Sequence, residues 1–169
     1  MNLRALLISL MILLQPAAAF AGDALSSLGG VKTLDVSPKQ FDNANIKGKP
    51  VIVVFFASWC PPCIDEFSEI SKVQAALNGK DVAFIGVNLF ENWNGDSDPA
   101  RMARFLVNTS PDFPLVQGSD DIAFAFGQVD RIPTLVVFDA AGNETWRFVH
   151  ARGTSKTHAT ANEIIAALK

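Results

Sequence analysis

Cys60 and Cys63 stand three residues apart in Ser58-Trp59-Cys60-Pro61-Pro62-Cys63, and the chain has no other cysteine. Cysteines this close cannot brace distant parts of a fold, so they form either a redox pair or half of a metal site. Zinc would need two further ligands. The two histidines, His150 and His158, are separated by seven residues, wider than the usual three to five. Copper(I) favours methionine and cysteine, and Met102 is the one methionine beyond the N-terminal segment. A metal site therefore lacks its ligands. Thiol–disulfide exchange needs a thiolate attacker and a nearby second thiol to resolve the mixed disulfide, and the pair supplies both.

The flanking residues say how the pair is held. Val51 to Ala57 is an unbroken apolar run of strand formers, as expected of a strand buried on both faces. After the motif, Ile64, Phe67, Ile70, Val73 and Leu77 recur every three or four residues, one face of an amphipathic helix. Pro61 and Pro62 suit its first turn, and Asn78-Gly79 ends it. Cys60 then lies at a helix start, where the dipole and free N–H groups favour a thiolate, while Cys63 lies one turn inside. A strand running straight into the motif puts it at the carboxyl edge of the sheet.

Downstream, the pattern predicts a strand over Val82 to Leu89, a helix opened by Asp98-Pro99 and running to about Val107, and a short strand over Phe113 to Val116. A short helix over Ser119 to Phe126 follows, then strands over Thr134 to Asp139 and Thr145 to His150 as a hairpin. A closing helix spans Ser155 to Leu168. Upstream, Gly22 to Gly30 reads as a loose leader and Val31 to Val36 as an edge strand. Strands alternating with helices and ending in a hairpin make an α/β fold with a mixed central sheet flanked by helices.

The chain has 169 residues, 49% apolar and 18% charged, a composition that builds one packed domain and excludes disorder. Net charge is −3 with no basic run, which gives nucleic-acid binding no electrostatic footing. Residues 1–21 read differently. Arg4 precedes the apolar run Ala5 to Leu14, Gln15-Pro16 breaks it, and small residues follow, the order of a secretory signal peptide. Cleavage after Ala21 would leave Gly22 first, and cleavage after Ala19 would leave Phe20 first; either frees one domain, residues 22–169, that is periplasmic or secreted and soluble.

The stretch VIVVFFASWCPPC (Val51 to Cys63) after Gly48-Lys49-Pro50, with Ile132-Pro133-Thr134 before a later strand, resembles the thioredoxin superfamily. Within it the chain is most similar to the TlpA/ResA-type branch of extracytoplasmic thiol–disulfide oxidoreductases. Classical cytosolic thioredoxins carry an Asp six residues before the first Cys, where this chain has Val54. The exported branch has a Glu three residues after the second Cys, and Glu66 is there.

The resemblance implies a thioredoxin fold that most readily reduces protein disulfides. Oxidation or isomerisation by the same cysteines, or a redox-inactive binding scaffold, are the alternatives. It implies Cys60 as nucleophile, Cys63 as resolving thiol, Trp59 flanking an exposed sulfur, and Pro133 as a cis-proline facing the pair. The Ile132 backbone would pair with substrate. Pro133 could instead be a trans proline opening a strand, and Gly153 matches the family's glycine opposite the site. Glu66 would exchange protons with Cys63, its pKa raised by burial, or be a first-turn acid that only steadies the helix. The implied partners are protein thiol and disulfide substrates and a membrane-bound redox donor protein. No metal and no cofactor beyond the Cys60–Cys63 disulfide is called for.

Overall fold

In a computed structural model, residues 21–95 and 98–168 are described. The proposed signal segment, apart from Ala21, lies outside them. Five strands form one sheet in the order β3-β2-β1-β4-β5. These are β1 (Val51–Phe56), β2 (Ala83–Asn88), β3 (Leu115–Gln117), β4 (Thr134–Phe138) and β5 (Glu144–Val149). β1, β2 and β3 are parallel, while β4 runs antiparallel to β1 and β5 antiparallel to β4. The sheet is mixed, as the alternation of elements requires.

Every residue of β1 is buried, which explains its lack of a polar face. Ile52, Val54 and Phe56 face one apolar cluster, Val51, Val53 and Phe55 the other. The first cluster takes in α2 (Pro61–Leu77), α3 (Pro99–Thr109) and α5 (Ala161–Ala167). The second takes in α1 (Ala21–Ser26) and α4 (Asp120–Ala125). α2 is seated by rings. Phe67 lies edge-on to Phe56 and to Phe105, each pair 5.0 Å between centroids, and Phe56 stacks on Phe105 at 5.1 Å. Such pairs add about 0.5–1.5 kcal/mol each beyond area burial. They lie one turn below the cysteine motif, so they fix where it sits.

Three expectations change. The leader is not loose from its start: residues 21–26 are helical, and Leu28 just beyond is fully buried in the second cluster. The edge strand at 31–36 shrinks to one antiparallel bridge, Thr33 to Val116, because only two backbone bonds, Leu34 N–H to Leu115 and Gln117 N–H to Lys32, reach β3. The last helix starts at Ala161 rather than Ser155. Thr160 caps it, its hydroxyl accepting from the Glu163 N–H while the Glu163 carboxylate accepts from the Thr160 N–H.

Candidate active site

β1 ends at Phe56 and the chain reaches Cys60 four residues later, at the carboxyl edge of the sheet. Cys60 is the N-cap of α2, in extended backbone conformation, with Pro61 and Pro62 as the first two helical residues. The two cysteines are joined as a disulfide, their Cα atoms 5.3 Å apart. Antiparallel pairing of Phe55 with Thr134 brings the residue before Thr134 to the same edge, and the Ile132–Pro133 peptide there is cis. Ile132 and Trp59 both pack against the cluster that holds the cysteines.

The expected exposed sulfur is not found. Cys60 retains 3% exposure and Cys63 none. Trp59 and Ile132 pack against the apolar cluster that includes both cysteines, and Cys60 is the more accessible of the two only by a narrow margin. Trp59 itself is pinned, its indole N–H donating to the Phe90 carbonyl at 2.8 Å. Gly153 lies in the turn after β5 at φ +76°, left-handed backbone that favours glycine.

Glu66 lies on the same face of α2 as Cys63, one turn further on, and is wholly buried. It belongs to the second turn, because α2 begins at Pro61, so the first-turn role does not apply. Burial pushes its carboxyl up to about 8, against the lowering effect of the Ala159 N–H, which donates to Oε2 at 2.8 Å. The Glu69 and Glu163 carboxylates add to the rise, and the Lys156 ammonium opposes it. Oε1 has no hydrogen-bond partner among the described residues. An orphaned buried carboxylate oxygen is costly, and protonation relieves that cost. Glu69 on the next turn accepts from the Ala161 N–H at 2.7 Å, so two carboxylates of α2 hold the chain leading into α5.

Sequence reasoning missed a second polar group behind the motif. The Glu91 carboxylate, after β2, accepts from the Ser58 N–H and from the Asn88 side-chain amide, each at 2.8 Å, and from the Ser58 hydroxyl. Arg101 Nε donates to the same hydroxyl at 3.4 Å. Ser58 and Glu91 lie 33 positions apart, and only the parallel β1–β2 register makes them neighbours. Glu91 thus holds the backbone two residues before Cys60. Glu91→Ala leaves the Ser58 N–H and the Asn88 amide without their acceptor, at a cost of about 2 kcal/mol, and lowers Tm by about 5 °C. Calorimetry checks this, and an unchanged Tm would mean that the motif loop does not depend on the bond.

Among the described residues, no three His, Cys, Asp or Glu side chains cluster as metal ligands would, and no helix is long and apolar enough to cross a membrane.

The arrangement is matched among known proteins. The family model described as Redoxin matches residues 16–165. The chain is 30% identical over 111 residues to the soluble secreted antigen MPT53 of Mycobacterium tuberculosis, an alignment covering 66% of this chain and 60% of that protein. The chain thus spans about three-fifths of that relative's length. Sporulation thiol-disulfide oxidoreductase A of Bacillus subtilis is 27% identical over 130 residues, 75% of each chain. Among solved structures, a thiol:disulfide interchange protein of the thioredoxin family from Chlorobium tepidum superposes with a TM-score of 0.58. It is 26% identical, over 78% of this chain and 88% of its own.

Proposed function

The chain belongs to the Redoxin family, and from that premise we propose that it is an extracytoplasmic thiol–disulfide oxidoreductase that reduces protein disulfides through Cys60 and Cys63. The observation that carries the reading is a vicinal cysteine pair at a helix start, backed one turn later by a buried carboxyl that titrates near neutrality. The names of the relatives, thiol-disulfide oxidoreductase and secreted antigen, support it, as does the signal-like order of residues 1–21.

In the proposed cycle the reduced Cys60 thiolate attacks one sulfur of a substrate disulfide. A Cys60–substrate disulfide forms, and the other substrate sulfur leaves as thiolate. Glu66 takes the Cys63 proton, Cys63 attacks the Cys60 sulfur, and the second substrate thiolate leaves. One substrate thiolate takes the Cys63 proton, passed on through Glu66, and the other takes a proton from solvent, the one Cys60 released when it ionised, so the substrate gains two electrons and two protons. A dithiol donor protein, membrane-bound in this proposal, returns Cys60–Cys63 to the reduced form by the same exchange.

The prolines favour this direction. A thiolate at a helix start is stabilised partly by first-turn N–H groups, and Pro61 and Pro62 remove two of them. A less stabilised thiolate leaves the reduced form less stable, which makes the couple a stronger reductant. The test is the equilibrium potential of the Cys60–Cys63 couple together with insulin reduction driven by dithiothreitol. A value near thioredoxin's, about −270 mV, with active turnover supports reduction, and one near −120 mV would make the protein an oxidase. Inertness with insulin and with small disulfides would leave a binding scaffold.

A further inference from the structure

A groove of about 320 Å³ opens beside the motif, between the turn before β4, the end of β5 and the loop after β2. Its apolar side is Trp59, Ile132 and Trp93. Trp93 meets Phe90 edge-on at 5.9 Å yet stays 61% exposed, so its own loop covers less than half of it. The rim is polar: two arginines, Arg131 and Arg152, with His150, and Asp130 as the one acid. Asp130 is already 3.7 Å from Arg131 Nε. Arg152 is exposed and has no carboxylate partner among the described residues. The rim is therefore positive on a chain whose net charge is −3. At its inner end the Ile132 N–H and C=O form no hydrogen bond within the described residues.

We propose that this groove is a specificity subsite that takes the extended polypeptide flanking a substrate disulfide and selects segments with an apolar side chain and an acidic residue. The proposal rests on the disulfide-exchange reading above. An extended segment pairs through its backbone with Ile132 and leaves alternate side chains on one face. An apolar side chain there lies against the indoles of Trp59 and Trp93, which offer large contact area for little lost conformational freedom. A carboxylate further along meets Arg152, while a basic residue at that place meets like charge. Charge of this kind sets encounter rate and partner choice more than it sets affinity.

The test uses two disulfide-bonded peptides, identical except that the residues flanking the cysteine and its Trp are Glu in one and Lys in the other. Hydroxyethyl disulfide serves as an uncharged control for the wild-type protein. The reduced protein is mixed with each and the single-turnover rate is followed by Trp fluorescence. The Glu peptide is expected to react about tenfold faster than the Lys peptide at low salt. The ratio falls toward one in molar salt, where the screening length is about 3 Å. Arg152→Glu removes or reverses the ratio, which is taken within each variant. Equal rates for both peptides, with hydroxyethyl disulfide still reduced, overturn the subsite and leave the oxidoreductase reading standing. A ratio that survives Arg152→Glu also overturns it, because the selection then lies elsewhere. No reduction of any of the three substrates defeats the oxidoreductase reading and the subsite together.

Discussion

Cys63→Ser is expected to trap substrate proteins as mixed disulfides on Cys60, while Cys60→Ser traps none, and both lose turnover to the uncatalysed rate. The asymmetry follows from position. Cys60 caps α2 and keeps the pair's only exposure, 3%, whereas Cys63 lies inside the helix with none. Cys60 is therefore the cysteine that an approaching substrate disulfide meets first. Removing the resolving thiol stops the reaction after its first exchange, and removing the attacker stops it before. Non-reducing gels of protein recovered from oxidising medium, with thiol labelling by mass spectrometry, read the result directly. In the reduced protein Cys60 also alkylates faster than Cys63. Equal trapping by the two variants would mean that either sulfur can attack, and the assigned order would be wrong.

Glu66 carries the second large effect, and its sign differs from that of a usual carboxylate. Its carboxyl stands at about 8 in the folded chain against 4.5 when unperturbed. Below 4.5 it is protonated whether folded or unfolded, and stability is unaffected. Between 4.5 and 8 the folded state holds a proton that the unfolded state has released, so stability falls as pH rises and levels off above 8. The full loss is about 5 kcal/mol. Glu66→Gln removes that slope. Its amide oxygen can still accept from the Ala159 N–H, but its new N–H donors sit where Oε1 has no partner, costing about 1–3 kcal/mol at every pH. The stability curves therefore cross, with the variant weaker in acid and stronger in alkali. Denaturant titrations between pH 4 and 9 show this.

The same substitution separates support from chemistry. If Glu66 moves the Cys63 proton, Glu66→Gln slows the resolving step and removes one limb of the pH–rate profile near neutrality. Glu66 lies three residues after Cys63 on α2, so if the two exchange a proton the limb carries a value belonging to the pair rather than to either group. Crossing stability curves with an unaltered pH–rate profile would leave Glu66 as a buried tie between α2 and the chain entering α5, and the acid–base role would fall.

Local pattern made much of this legible. The apolar run at Val51 to Phe56, the three-and-four spacing from Ile64 to Leu77, the Asp98-Pro99 start and the hairpin from Thr134 to His150 each act within a few residues, and each appears as an element close to its expected bounds. The misjudged segments lack such a signal. The sequence at 21–26 has no Ser, Thr, Asp or Asn just ahead of it and no periodic apolar face. The 31–36 segment is held at one bridge by bonds to β3, 80 residues away. The start of α5 depends on Thr160 capping against Glu163 rather than on the earlier polar residues.

By itself the sequence determined the cysteine pair, its place between a buried strand and a helix, the mixed sheet and the position of Glu66. These are properties of spacing and of side-chain chemistry within one or two elements. Only the tertiary structure decided how those groups behave. Burial is a sum over neighbours from the whole chain, so the near-complete burial of both cysteines could not be read from the motif alone. The carboxyl of Glu66 rises because the packing of α2 against α5 removes water from it, and the Ala159 N–H that meets it lies 93 positions away. Glu91 is tied to Ser58, and Trp93 is set beside Arg152, because adjacent strands deliver distant loops to one edge. Hydrogen bonds and charges act over a few ångströms, and residues far apart in sequence come within that range only when the sheet is assembled.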